Sequence, residues 1–314
     1  MEIIYPKPGI SGLSARVATI GVFDGVHRGH QLLIGKVTEK ARKTGLTSTV
    51  ITFDRSPRQV LDPAFRPQLL TTLEEKKAII GTLGVDCLAI LPFTRELASL
   101  SARDFMRQVL HEQLHVKVLI TGYDNRFGHD RAEGFDDYVR YGRELGMQVL
   151  RGDVEMMDDG QRAVSSSVIR DLLVHDGRVD LMPQCLTRFY QLEGKVTPGE
   201  HIGHQLGYPT ANLEPDHPEK LVPAPGVYAV WATIGGERQA RAAMMNIGNR
   251  PTFDGHQQTL EVNILDFEGD LYGQTVSIAF VKRLREERKF ESPEALVSQL
   301  RKDKEQVIQL LKTD

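Results

Sequence analysis

Residues 19–31 read Thr19-Ile-Gly-Val-Phe-Asp-Gly-Val-His-Arg-Gly-His-Gln31, and this stretch decides how the first half of the chain folds. An apolar run over residues 16–22 leads into glycines and then into two histidines, His27 and His30, with Gly29 between them. The pattern predicts a strand, a glycine turn and a helix that begins near His30. Backbone N–H groups at such a helix start, together with two imidazoles, converge on a point where a phosphate can sit. A phosphoryl group in transfer builds negative charge, which donors of this kind stabilise. Taken alone, the His-x-x-His spacing also fits a metal site, or two ordinary residues of a loop and a helix start. No third ligand follows at a familiar spacing, and the flanking glycines favour close approach of a phosphate.

Outward from that stretch, strand-like and helix-like patterns alternate. Leu33, Val37 and Ala41 form one stripe of a helix over 30–43 that stops at Gly45. Strands are expected at 46–53, 87–91, 116–121 and 148–150, and helices at 72–83, from Ser101 onward, at 135–145 and at 165–175. This β-α-β-α order predicts an α/β domain, a Rossmann-like parallel sheet covered by helices. Ligands of such sheets bind beyond the carboxyl ends of the strands, where the histidines lie. After Gly177 the pattern changes. Strand-like runs at 190–196, 226–233, 239–246, 260–266 and 274–281 are separated by Gly, Pro and Asp, which predicts a small antiparallel β-barrel. A C-terminal helix over 292–312 closes the chain, with Pro293 at its first position. The boundary is expected between Asp180 and Arg188, giving domains 1–182 and 183–314.

Bulk properties narrow the function. The chain has 314 residues, 40% of them apolar and 26% charged, which describes two ordinary globular domains. Its net charge of −3 argues against a generic nucleic-acid binder. Two cysteines, Cys87 and Cys185, are too few for a disulfide framework. The first residues lack the pattern of a signal peptide, and no apolar run reaches the roughly 18 residues of a membrane span. The expected compartment is the cytoplasm, with neither a membrane nor a nucleic acid as partner.

Further motifs carry chemistry. Ser165-Ser-Ser-Val-Ile-Arg170 sets Ser165 and Ser166 at a helix start with Arg170 one turn later, either a clamp for phosphates or a simple cap. The run Gly194-Lys-Val-Thr-Pro-Gly-Glu-His-Ile-Gly-His-Gln-Leu-Gly-Tyr-Pro-Thr-Ala-Asn-Leu213 is a glycine-rich loop able to wrap phosphates through backbone N–H groups. Thr210 and Asn212 there offer hard oxygens to Mg²⁺. His201-Ile-Gly-His204 spells a motif of class I aminoacyl-tRNA synthetases, but Gly207 and Pro209 deny it the helix that motif opens.

The string 21–30 resembles the nucleotidyltransferase signature of the bacterial bifunctional riboflavin kinase/FAD synthetases. Gly122-Tyr-Asp-Asn-Arg-Phe-Gly128 is similar to the Gly-x-Asp-Phe-x-Phe-Gly segment of that family, with Asn125 in place of an aromatic residue. The serine motif resembles Ser-Ser-Thr-x-Ile-Arg, and the second loop resembles the riboflavin-kinase motif ending in Pro-Thr-Ala-Asn. Two departures stand out: Ser56 replaces the histidine of a Phe-x-Pro-His-Pro run, and His204 stands where Arg or Lys is common. Glu261, in a strand-like run near the family-like segment Asn246-Ile-Gly-Asn-Arg-Pro-Thr252, matches the kinase glutamate. Asn263 and the charges at 283–288 read as surface or flavin-lid residues.

The resemblance implies an N-terminal nucleotidyltransferase domain and a C-terminal riboflavin-kinase barrel. ATP and Mg²⁺ would convert riboflavin to FMN, and a second ATP would convert FMN to FAD. His27, His30 and Glu261 would be catalytic. Gly21, Phe23, Asp24, Gly29, Asp124, Ser165, Ser166 and Arg170 would bind nucleotide in the first domain, and Gly199, Gly203 and Gly207 phosphates in the second. Metal would fall to Thr210 and Asn212. The alternatives are an enzyme that keeps only the kinase step, because of Ser56 and Asn125, and a flavin- or nucleotide-binding regulator without turnover.

Overall fold

The computed structural model describes residues 1–6, 14–129, 131–157, 160, 162–198, 208–252 and 255–311. They fall into two compact units, Met1–Ser166 and Ser167–Asp314.

In the first unit six strands form one sheet: β1 (Glu2–Ile4), β2 (Arg16–Ile20), β3 (Thr47–Phe53), β4 (Cys87–Leu91), β5 (Val116–Thr121) and β6 (Gln148–Arg151). Their order is β1-β4-β3-β2-β5-β6, and every pairing is parallel. Residues of β2 and β4 are buried throughout, as strands covered on both faces must be. Alternate side chains feed two cores. Val17, Val50, Leu88 and Ile90 pack with Ile34 and Val37 of α1 (Arg28–Thr44) and Ile80 of α2 (Leu73–Gly81). Ala18, Ile51, Ala89 and Leu119 face the other way, toward Phe105, Leu110 and Tyr138, the last from α3 (Phe135–Glu144). The chain winds from β2 through β3 to β4 on one side, while β5 and β6 lie on the other. The winding therefore reverses between β2 and β5, and a crevice opens beyond their carboxyl ends. The histidine stretch follows β2, and the Gly122–Gly128 segment follows β5.

Three local expectations change. Strand β2 stops at Ile20 rather than at residue 22, because Phe23 turns to φ 51° and leaves the sheet. Helix α1 begins at Arg28, with His27 as its cap. The helix from Ser101 is α-type only over Ala102–Phe105 and continues in wider π-type turns over Met106–Gln113.

In the second unit β7 (Tyr190–Thr197), β8 (Ala211–Pro215), β9 (Gly226–Ile234), β10 (Arg241–Thr252), β11 (Gly255–Ile264) and β12 (Thr275–Arg285) close a barrel in the order β10-β11-β8-β7-β12-β9. All its pairings are antiparallel. Strand β8 was not anticipated: the Pro-Thr-Ala-Asn motif reads as loop, yet Ala211 onward pairs with both β7 and β11 and buries Leu213. The helix α4 (Ser166–Val174) begins at the end of the first unit, and α5 (Pro293–Leu311) packs Val307 and Leu311 against Ala229 and Met244 of the barrel.

The division at Ser166 lies before the expected boundary at 182/183. The reason is that the segment after α4 packs on the barrel. The Ala224 N–H donates to the Leu173 carbonyl at 2.9 Å, and the Arg283 guanidinium donates to the Asp176 carbonyl at 3.4 Å. Gly177 leaves no room for a side chain, since a Cβ would lie 2.7 Å from the Tyr228 hydroxyl.

Gly194, the first residue of the long motif, sits in β7 where a Cβ would run into the Glu214 carbonyl of β8. Gly194→Ala is expected to destabilise the second unit by about 1–3 kcal/mol, through overpacking. Urea unfolding followed by the fluorescence of the single tryptophan, Trp231, reads this, and unchanged stability would show that β7 and β8 can part freely.

Candidate functional site

The turn between β2 and α1 is strained and tied down. Phe23 (φ 51°), Gly25 (φ 79°) and Val26 (φ 41°) all lie in the left-handed region, which is unfavourable for a β-branched residue such as Val26. Tertiary bonds hold it there. The buried Asp24 carboxylate accepts the backbone N–H groups of Leu70 and Thr71, each at 3.0 Å. Gly25 N–H donates to the Thr71 hydroxyl at 2.9 Å, and Gln31 Nε2 donates to the Val26 carbonyl at 2.9 Å. The Ser166 hydroxyl donates to the Asp24 carbonyl at 2.9 Å. Asp24, expected at the nucleotide, is engaged as a strap: the residue is 4% exposed and its carboxylate faces amides.

The strap presents the histidines. His27 caps α1, its Nδ1 facing the His30 N–H at 3.4 Å. The two imidazoles stack with centroids 3.6 Å apart and planes 22° apart, and the Phe23 ring meets His30 edge-on at 5.1 Å. Gly29 lets this happen, since a Cβ there would lie 3.2 Å from the His27 ring. Gly21 likewise lies against the Phe23 ring, where a Cβ would come within 3.2 Å. Burial drives the His27 pKa down to about 4, against the opposing pull of Asp124 and then Asp24. His30 is held well below the usual histidine range by burial, then by His27, then by Lys76. Both rings are therefore neutral near pH 7, donors rather than cations. Among the described residues, the buried Nδ1 of His30 has no hydrogen-bond partner. No group of three His, Cys, Asp or Glu side chains there could hold a metal ion.

Asp124, exposed in the loop after β5, carries a negative charge that favours the protonated form of His27. Next to it, Asn125 donates from Nδ2 to the Ile20 carbonyl at 2.6 Å, so this substitution ties the loop after β5 to the end of β2. Ser56 stands just before the short helix Pro57–Leu61, its N–H bonded to Gln59 Oε1 at 3.0 Å. Arg28 reaches Glu155 through Nε at 2.9 Å and so anchors the first turn of α1. Ser165 is half-buried ahead of α4, whereas Arg170 belongs to the second unit. Lys76 on α2 was missed. Its signal was its position four residues before the buried Ile80, on the apolar stripe.

The barrel builds a separate centre by register. Asn212 of β8 stands opposite Thr197 of β7 and opposite Glu261 of β11, and Glu261 stands opposite Asn246 of β10. Facing residues of this kind have Cβ atoms roughly 5 Å apart. Thr210 precedes Asn212 by two residues and lines a cavity of about 420 Å³ with Val196, Pro209, Ala211, Val262 and Tyr272. Asn212 and Glu261, opposite each other across β8 and β11, bring an amide oxygen and a carboxylate together, while the cavity that Thr210 lines includes neither of them. Asn263 is no surface residue: it is 7% exposed, and its Nδ2 donates to the Pro209 carbonyl at 2.7 Å, fixing the lead-in to Thr210. Nor do the arginines at 283 and 285 stand free as a lid. Arg283 donates to the Pro225 carbonyl, and Arg285 pairs with the buried Asp303 of α5 at 2.8 Å. Gly199, Gly203, His204 and Gly207 lie outside the described residues.

Comparison with known proteins agrees with this division. A family model described as FAD synthetase matches residues 11–168, and one described as riboflavin kinase matches residues 186–311. A bifunctional riboflavin kinase/FMN adenylyltransferase of Pseudomonas fluorescens is 39% identical over 91% of this chain and 90% of that protein. A protein of the same description from Bacillus subtilis is 35% identical over 98% of this chain and 96% of that protein. Among solved structures, one described as a macrolide-efflux protein from Streptococcus pneumoniae is similar, with a TM-score of 0.86 and 33% identity over 96% of this chain and 97% of that one. Among the described residues no helix is long and apolar enough to cross a membrane.

The depressed His27 pKa makes stability depend on pH. Between pH 6.5 and about 4 the unfolded chain binds a proton that folded His27 refuses. The stabilisation is complete above pH 6.5 and is lost as pH falls toward 4, by roughly 3 kcal/mol at most from a 6.5-to-4 shift. Thermal unfolding should show a lower midpoint at about pH 5 than at about pH 7.5, and His27→Asn should reduce that difference, with His30 supplying the remainder in the same pH window. An equal slope in the variant would assign the effect to other groups.

Proposed function

We infer how each unit works from one premise: the chain belongs to the bifunctional riboflavin kinase/FMN adenylyltransferase family. It phosphorylates riboflavin to FMN with ATP and adenylylates FMN to FAD. What is proposed is the assignment of residues. The observation that carries it is that each unit holds its own polar centre, the stacked histidines in the first and the Asn212–Glu261 pair in the second.

In adenylyl transfer a phosphate oxygen of FMN attacks the α-phosphorus of ATP. The new P–O bond forms as the bond to the β-phosphate oxygen breaks, and pyrophosphate leaves with the electron pair. His27 uses Nδ1 as an acceptor at the helix cap, so its proton sits on Nε2, free to donate to the charge gathering on the α-phosphate. His30 adds a second donor from the same stack, and the N–H groups at the start of α1 contribute their dipoles. Ser165 fits the phosphate-facing role the resemblance implies, and Arg170 carries that role on the resemblance alone. Ser166 acts through the Asp24 strap. Asn125 supports a working site despite the lost aromatic residue, because it closes the crevice rim on Ile20.

In the kinase step the Glu261 carboxylate accepts a hydrogen bond from the riboflavin 5′-hydroxyl, orients it toward the γ-phosphorus of ATP and takes its proton. Thr210 and Asn212 would hold Mg²⁺, which when bound neutralises phosphate charge. Asn263 positions Thr210 through Pro209. The substrates are small molecules, and the cytoplasm is the proposed compartment, supported by two buried cysteines that form no disulfide.

Resolving FMN from FAD over time tests the assignment. His27→Ala with His30→Ala should lower FAD formation by about 10²-fold or more while FMN still accumulates. Glu261→Gln should lower FMN formation by about 10²–10⁴-fold, yet convert supplied FMN to FAD at the normal rate. Either folded variant losing both reactions would overturn the two-centre assignment.

A further inference from the structure

Strands β5 and β6 end side by side, with Thr121 opposite Arg151, and the chain beyond them forms a ledge along α1. The Arg151 guanidinium lies over the Phe135 ring at 4.2 Å and near the Tyr123 ring at 5.7 Å, so two rings orient its plane. Tyr123 itself is 60% exposed. After Arg151 the chain is pressed onto the helix. Gly152 N–H donates to the Thr121 carbonyl at 2.8 Å, and a Cβ on Gly152 would lie 2.8 Å from Leu33 Cδ1 of α1. Asp153 then pairs with Lys36 and Glu155 with Arg28, both on α1. Glu155 also reaches the histidine turn, since a Cβ on Gly29 would lie 3.6 Å from the Glu155 Cβ. Val154 and Met156, which alternate with these paired carboxylates, stay exposed. Of the ten exposed large apolar side chains among the described residues, Val22, Tyr123, Val154 and Met156 stand in the segments that follow β2, β5 and β6. Exposed apolar groups gathered around a crevice mark a ligand seat rather than a solvated face.

We propose that Tyr123 and Arg151, with Val154 and Met156 alongside, seat the adenine ring of ATP during adenylyl transfer. This rests on the assignment of the histidine pair to that step. The position suits a base whose phosphates lie at the start of α1. Strand β6 is two strand spacings from β2, about 10 Å, a gap of the order that ribose and an α-phosphate bridge. The chemistry suits a base rather than a phosphate, because Arg28 and Lys36, the cations of α1 along the ledge, are already matched by carboxylates. It also distinguishes the two planar groups of the reaction. Adenine is an electron-rich ring and gains from a guanidinium against its face, whereas the oxidised isoalloxazine is electron-poor and gains less. Stacking of this kind needs no hydrogen-bond pattern, so the ledge supplies affinity for the ring and leaves orientation of the phosphates to the helix start. The Gly152 contact and the two ion pairs fix the ledge to the same helix that carries His30.

Tyr123→Ser removes the ring and Arg151→Met the guanidinium, and both side chains are exposed, so neither change reaches the core. In the full chain, adenylylation is followed against ATP and against FMN, with adenosine and pyrophosphate as inhibitors. Riboflavin phosphorylation, which uses ATP at the other centre, is followed against ATP as the control. Each variant should raise the KM for ATP in adenylylation by about 10-fold or more with little change in kcat. Inhibition by adenosine should weaken in parallel while inhibition by pyrophosphate holds, and Tyr123→Phe should restore what Tyr123→Ser loses. An unmoved KM for ATP overturns the proposal. So does a rise in the KM for FMN in its place, which would make the ledge a flavin seat. Loss of pyrophosphate inhibition with adenosine inhibition intact overturns it too, by making Arg151 a phosphate ligand. A higher KM for ATP in the kinase step with adenylylation unmoved overturns instead the assignment of the histidine pair to adenylyl transfer.

Discussion

A carboxylate holding two backbone amides is the interaction on which the first unit's chemistry depends. Asp24 gives up its side chain to the Leu70 and Thr71 N–H groups, and in exchange the chain between β2 and α1 keeps a conformation it would not adopt alone. Charge-assisted bonds of this kind contribute about 1.5–3 kcal/mol each, the same order as the strain of a residue such as Val26 at φ 41°. The strain has a product. It brings the cap residue of α1 over the next turn, so that two imidazoles meet face to face rather than pointing apart.

The two centres rely on different parts of protein physics. The first is a switch-point crevice of a parallel sheet, where strands β2 and β5 deliver their following loops side by side and a helix start adds its dipole. Its electrostatics come from burial, which keeps both rings neutral. The second depends on barrel register. Strands β8, β11 and β10 are in antiparallel pairing, so Asn212, Glu261 and Asn246 fall in one row across the sheet. A slip of one residue would turn the row to the opposite face. The backbone hydrogen bonds of the barrel thus also align this row of polar side chains.

Much of this was legible in the residues. Alternating periods of two and 3.6 gave the order of strands and helices in the first half, and the absence of helices between apolar runs pointed to the barrel. His27, His30, Glu261, Thr210 and Asn212 were singled out from local motifs, because a motif is a run of neighbours and neighbours are visible. The features that were not legible share a cause. Asp24 reads as a phosphate contact because it adjoins the histidines, but its partners are some forty-six residues away in the chain, at Leu70 and Thr71. Asn263 reads as a surface amide until β11 sets it against Pro209. Lys76 sits in an unremarkable helix pattern, and nothing adjacent in the chain shows what it faces.

By itself, then, the sequence determined the class of each half, the order of its elements and the short runs that can bind phosphate, since all of these depend on local periodicity and local chemistry. The tertiary structure decided which of those residues are bound into the frame. It tied Asp24 and Ser166 into the frame and made Asn125 a bridge between β2 and the loop after β5. It also carried the segment after Ser166 over to the barrel. A side chain's protonation and reach depend on every group packed around it, and those groups come together only when strands and helices distant in the chain are assembled.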